Sequence, residues 1–202
     1  MVIGEWRVRW RQWGTRLVGA YAVALTLLAV LLAPAVMPVL PPAMYAQVYG
    51  TAGNGGSAQE SGDTYGLPQA LADRFGWEEQ VALIAQVYHS LPPDEQRVAC
   101  IFTENYGEAG ALVQFGARYH LPSPISGHNA FYLWGPDGCS GQVLITINIS
   151  PQDAAQGYGS VTLAARTSCA ACVDFENHAP ILILRQPKEP FATLWRQGRH
   201  YD

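Results

Sequence analysis

Two hydropathy patterns divide the chain. Positions 17–33 are apolar except for Gly19 and Thr26, and apolar residues run on to Leu40 with no polar face. A helix that is apolar all round belongs in lipid or deep inside a large core. Beyond a glycine-rich stretch at 50–66, short periodic units take over. Trp77, Val81, Ile84, Val87, Tyr88 and Leu91 recur at helical spacing until Pro92-Pro93, which predicts a helix over 77–90. Ala109, Leu112, Phe115 and Tyr119 predict a second over 108–119. Ser150, Pro151 and Asp153 supply a capping hydroxyl, a first-turn proline and a first-turn acid, and so predict a third at 151–157. Between and after these helices, 98–102, 143–149, 161–165 and 181–184 are solidly apolar runs rich in branched side chains, suited to strands covered on both faces. The alternation predicts an α/β fold over 67–202: a small Rossmann-like sandwich with a mostly parallel sheet, preceded by one transmembrane helix.

Charge sharpens the division. Arg7, Arg9, Arg11 and Arg16 precede position 17 against a single acid, Glu5, and no charged residue lies between 17 and 59. The remaining eight basic residues face fifteen acids. Trp6, Trp10 and Trp13 sit among the arginines, where amphipathic rings favour the headgroup layer. The expected organisation is a basic cytoplasmic segment at 1–16, a transmembrane helix at 17–40 that Pro34 kinks rather than ends, a flexible linker at 41–66, and an extracytoplasmic domain at 67–202. A cleaved signal peptide is the competing reading, because Ala33-Pro34-Ala35 fits a small-residue cleavage site. Both deliver the domain to the same compartment. Its acidity argues against a nucleic-acid partner, since phosphate contacts need clustered Lys and Arg.

Candidate chemistry gathers at two loops. Glu104-Asn105-Tyr106-Gly107-Glu108 leaves a predicted strand and enters a helix, where open α/β sheets hold ligands. Two acids at a helix N-terminus would repel phosphate, so sugar hydroxyls or an amine suit the loop better. The alternative is structural: Asn105 and Gly107 shape a turn while Glu108 offsets the helix dipole. The second loop, Ser126-Gly127-His128-Asn129, is followed by Phe131, Tyr132 and Trp134, rings able to stack on apolar sugar faces beside amides that bind hydroxyls. Glu104, Asn105, Tyr106, Glu108, His128 and Asn129 are the candidate substrate-binding residues. His128 as a solvent-facing loop histidine, with the aromatics in the core, is the bland counterpart.

Of the four cysteines, Cys100 falls inside a predicted core strand and reads as a buried apolar thiol. Cys169-Ala170-Ala171-Cys172 admits a redox pair, half a zinc site, or a disulfide, either local or linked to Cys139; an outer compartment favours the disulfide. No Gly-x-Ser-x-Gly elbow or His-Glu-x-x-His motif occurs. The sequence therefore offers no catalytic residue, no metal site and no cofactor.

Taken together, Ala72-Asp73-Arg74-Phe75-Gly76-Trp77-Glu78-Glu79, Val87-Tyr88-His89-Ser90-Leu91-Pro92, the 104–112 loop, Ile125-Ser126-Gly127-His128-Asn129 and Cys169-x-x-Cys172 leading into Glu176-Asn177 carry a resemblance. They resemble the C-terminal part of bacterial multi-pass glycosyltransferases of family thirty-nine, related to protein mannosyltransferases and lipid A aminoarabinose transferase. The resemblance runs from the apolar helix to the end. It implies a polyprenyl-phosphate sugar donor and transfer on the outer face of the plasma membrane. It also implies that the catalytic acid lies in a first outer loop that these residues do not include. The expectation is thus a single-pass piece of a membrane glycosyltransferase, inactive alone, that binds a glycan or lipid-linked acceptor or supports a multi-spanning transferase bundle. Its partners would be membrane lipid, that acceptor and that bundle. A free-standing anchored module that binds a glycan or solute without catalysis is the alternative, and an outer thiol oxidoreductase built on Cys169 and Cys172 a third reading.

Overall fold

The computed structural model describes residues 3–37, 40–49, 67 and 69–201, which fall into two compact units, Met1–Gly55 and Gly56–Asp202. The first unit holds α1 (Ile3–Val36) and α2 (Pro42–Tyr49). Within α1, Trp13–Ala33 is 21 residues with a mean hydropathy of 2.1, long and apolar enough to cross a membrane. The Thr26 hydroxyl is satisfied inside this stretch by the Ala22 carbonyl at 2.9 Å. Pro34 does not end α1, which continues to Val36. Part of the expected linker is helical, because Pro42 opens α2 from a first-turn position where its missing N–H costs nothing. The remainder of that linker, 50–66, lies outside the described residues.

The second unit is α/β. In chain order it contains α3 (Gln69–Ala72), α4 (Trp77–Ser90), α5 (Pro93–Gln96), β1 (Ala99–Thr103) and α6 (Tyr106–Phe115), the last tightening into a 3-10 turn at Gly116–Tyr119. There follow β2 (Pro124–Ser126), α7 (Asn129–Trp134), β3 (Val143–Ile147), α8 (Pro151–Gly157), β4 (Tyr158–Arg166), β5 (Pro180–Pro187) and α9 (Phe191–Gln197). The strands form one open sheet in the order β2-β1-β3-β5-β4. β1 is parallel to both β2 and β3, whereas β5 is antiparallel to β3 and β4. The sheet is therefore mixed, and β5 enters it from the end at which the other four strands finish.

Alternation along the strands builds a core on each face. Ile101, Ile145, Ile147, Ile181 and Ile183 point to one side, where Val81, Ile84 and Val87 of α4 and Leu112 of α6 cover them. Leu144, Leu182 and Leu184 point to the other, under Ala154 of α8 and Phe191 and Leu194 of α9. β3 is buried along its whole length. Each such branched side chain contributes about 1.5–3 kcal/mol on burial, which is why apolar runs without alternation mark this sheet.

Cys100 is not a free thiol. It pairs with Cys139, joining β1 to the loop before β3 with Cα atoms 5.9 Å apart, while Cys169 and Cys172 remain reduced. Strand membership of Cys100 concealed this, because its side chain faces the half-buried second core where the 139 loop arrives.

Candidate functional site

The carboxyl ends of β1, β2, β3 and β4 lie at one end of the sheet. The chain leaves β1 for β2 on one side and then returns past β1 to β3 on the other, a reversal that opens a crevice between β1 and β3 in sheets of this kind. The two predicted loops meet at this end.

Asn105 caps α6: its side-chain oxygen accepts from the Glu108 N–H at 3.0 Å, and Glu108 Oε2 accepts from the Asn105 N–H at 3.2 Å. Both residues thus have structural work, through a reciprocal capping box in place of the turn and helix-dipole roles expected of them. Glu108 is fully buried and its Oε1 has no hydrogen-bond partner. Burial pushes its carboxyl up to about 8, a shift that Glu104 and Glu176 reinforce; the Asn105 N–H and the nearby Asn148 amide oppose it. Asn148 takes a left-handed backbone, φ 65°, at the end of β3.

His128 is not in solvent. It is buried, with Tyr106 edge-on at 4.9 Å and His200 stacked at 4.5 Å, and its Nδ1 accepts from the Tyr106 N–H at 3.4 Å. Asn129, at φ 51°, donates its N–H to the His200 carbonyl, and the His200 N–H returns to Gly127. This pairing needs glycine at 127, where a Cβ would lie 1.8 Å from the Gly198 carbonyl oxygen. Glu104 and Tyr106 are exposed. The loops therefore bring all six predicted residues to one place, but Asn105, Glu108 and His128 are spent on holding it together.

Two open clefts flank this centre. One, of about 380 Å³, runs along α6, β2 and α7 and is lined by Leu112, Leu121, Pro122, Phe131, Trp134 and Asp137. Trp134 is 70% exposed, with Phe131 edge-on at 4.4 Å. Tyr132 turns the other way and stacks on Trp195 at 5.3 Å. The second cleft, of about 410 Å³, lies between α4 and the loop after β4, with Gln80, Arg166, Cys169, Cys172 and Glu176 in its wall. Gly76, at φ 91°, lets α4 start against this loop, since a Cβ there would sit 3.1 Å from Cys169 Sγ. The Cys172 N–H points at Cys169 Sγ across 3.1 Å. Burial raises the Cys172 thiol, and burial with Asp73 nearby raises the Glu176 carboxyl to about 8.

No family model, curated protein or solved structure matches this chain. Among the described residues no cluster of three or more His, Cys, Asp or Glu is placed to hold a metal ion. Sequence reasoning had singled out the aromatics after Asn129 but missed the α4 wall of the second cleft; the signal lay in Gly76, an isolated glycine directly before a helical pattern.

Proposed function

We propose that this chain is an outer-face accessory domain of a membrane glycosyltransferase, using α1 as a single-pass anchor in the plasma membrane and holding a glycan or lipid-linked acceptor without transferring sugar itself. The observation that carries the reading is Trp134. A 70% exposed indole in a cleft with Phe131 and Asp137 gives a flat apolar platform beside a carboxylate, the pairing that sugar rings and their hydroxyls require. The resemblance to family thirty-nine supplies the reaction context, a polyprenyl-phosphate sugar donor acting through a multi-spanning bundle. The β2-β1-β3 half supports a Rossmann-like reading, with the candidate loops at the strand ends where such sheets take ligands. The Cys100–Cys139 disulfide supports an oxidising, extracytoplasmic setting.

The test uses the full chain in lipid nanodiscs. Incubation with polyprenyl-phosphate mannose and a glycan acceptor should give no turnover, while an array of soluble bacterial glycans should yield saturable binding that Trp134→Ala weakens about tenfold. Robust transfer by the chain alone would overturn the accessory role. Absence of any glycan binding, with Trp134 instead quenched by lipid-embedded probes, would assign the platform to the membrane surface.

A further inference from the structure

The loop after β4 carries two sulfurs that neither the candidate loops nor the glycan reading uses. Hydrogen bonds already shape this loop. The Thr167 hydroxyl donates to the Glu176 carbonyl at 2.5 Å and accepts from the Ala179 N–H at 2.8 Å, and Asn177 Oδ1 accepts from the Cys169 N–H at 3.0 Å. A disulfide between Cys169 and Cys172 would close a ring of only four residues, and a cross-link stabilises less the shorter the loop it closes. As a staple the pair has little to add.

The two sulfurs are placed for different parts. Cys169 Sγ accepts the Cys172 N–H at 3.1 Å, whereas the Cys172 thiol donates to the Cys169 carbonyl across 3.5 Å. Accepting suits a thiolate and donating suits a thiol. Cys169 is half-buried and borders the open cleft of about 410 Å³ against α4, with Cys172 behind it at 1% exposure. A side chain at 76 would crowd Cys169, since its Cβ would lie 3.1 Å from Sγ, and glycine leaves that approach clear. Glu176 stands in the same wall, buried and near enough for its charge to act on the Cys172 thiol. Burial, with Asp73 nearby, raises its carboxyl to about 8, so it takes up and releases a proton near neutral pH.

We propose that Cys169 and Cys172 form a redox-active pair that exchanges with disulfides presented in the α4 cleft, Cys169 attacking and Cys172 resolving. In the first step the Cys169 thiolate bonds one substrate sulfur, the substrate S–S bond breaks, and the other substrate sulfur leaves and takes a proton from solvent. In the second, Cys172 bonds Cys169 Sγ, its proton passes to Glu176, and the first substrate sulfur leaves. The dithiol is thereby oxidised to a disulfide and the substrate disulfide is reduced to two thiols. Reversal with a substrate dithiol restores the pair. Polypeptides and small thiol compounds both carry such a bond.

The full chain in nanodiscs, with Cys169 and Cys172 reduced, is mixed with a fluorescent peptide cyclised by one disulfide or with oxidised glutathione, and quenched in acid. One peptide disulfide should be reduced per chain, at least about tenfold faster than by free cysteine, as peptide mapping records a new Cys169–Cys172 bond. Cys172→Ser should halt at a mixed disulfide on Cys169, and Cys169→Ser should leave the peptide intact. Glu176→Gln should prolong the mixed disulfide about tenfold without slowing its formation, a split that a merely structural role would not produce. A peptide faster than glutathione assigns the site to polypeptide substrates, and the reverse order assigns it to small disulfides. Reaction of the unmodified protein no faster than free cysteine overturns the proposal without recourse to any variant. So does a Cys169–Cys172 bond that persists in millimolar reduced glutathione, the behaviour of a structural disulfide. Because the pair lies in the α4 cleft and not in the Trp134 cleft, either reading can fail while the other stands.

Discussion

Asn105 and Glu108 close the first turn of α6 by reciprocal hydrogen bonds, each side chain accepting from the other's backbone N–H. Replacing Asn105 with alanine should lower unfolding stability by about 1 kcal/mol, the usual cost of a lost N-cap. The effect should appear in denaturant titrations without a change of slope, because the surface exposed on unfolding stays the same.

Glu108 and Glu176 make stability depend on pH in an uncommon direction. Their folded carboxyls are raised from 4.5 to about 8, so the folded state holds protons that the unfolded chain has released. The stabilisation is complete below about pH 4.5, is lost as pH rises through 8, and levels off beyond. From pH 5 to 9 each of the two groups should cost on the order of 4 kcal/mol of stability, read from melts across that range, and Glu108→Gln, which keeps the cap, should remove about half of the total. A melting temperature that climbs over this range would mean that both groups are charged in the fold.

Much of the architecture was legible because it rests on periodicity. α4 and α8 fall at 77–90 and 151–157, as their apolar spacing and the Ser150 cap predicted. β2 was not, since Pro124-Ile125-Ser126 is too short to form a pattern. Nor was α9, where Phe191, Leu194 and Trp195 span less than two turns. Strand direction escaped too: the run at 181–184 says that β5 is covered on both faces, not that it enters antiparallel. The fold sets the two loops that carry the six candidate residues side by side, but the burial of His128 depends on His200, seventy-odd positions away.

The disulfide between Cys100 and Cys139 closes a loop of 39 residues. A cross-link of that length stabilises by about 4 kcal/mol in the chain-entropy treatment. Replacing both cysteines with alanine, or melting under reductant, should lower stability by roughly 2–4 kcal/mol. An unchanged melting curve under full reduction would show that the bond is absent from the folded protein.

Cys169 and Cys172 differ in access. Cys172 is 1% exposed and its thiol is raised by burial, whereas Cys169 is half-buried and borders the α4 cleft. Alkylation of the native protein should modify Cys169 at least tenfold faster, since the thiolate is the reactive form. Mass-spectrometric mapping of the labelled peptide over time would decide it, and equal rates would mean that the 169–172 loop opens readily.

Arg185 of β5 grips Glu95 of α5 with two bonds, Nε to Oε1 at 2.8 Å and Nη2 to Oε2 at 2.6 Å. The guanidinium holds the Glu95 carboxyl below its usual range, so this contribution is present above about pH 4.5 and is lost as pH falls further. Arg185→Lys cannot reproduce the fork and should cost about 1 kcal/mol at neutral pH, with the deficit shrinking in acid.

The Cys100–Cys139 link also encloses α6, β2 and α7 within one covalent ring. A protease that nicks the chain inside that ring, for instance beside the exposed Leu133 and Trp134, leaves both pieces tethered. The cut molecule would migrate as intact until its sulfurs were reduced, so a single band on a non-reducing gel is no proof of an unbroken backbone.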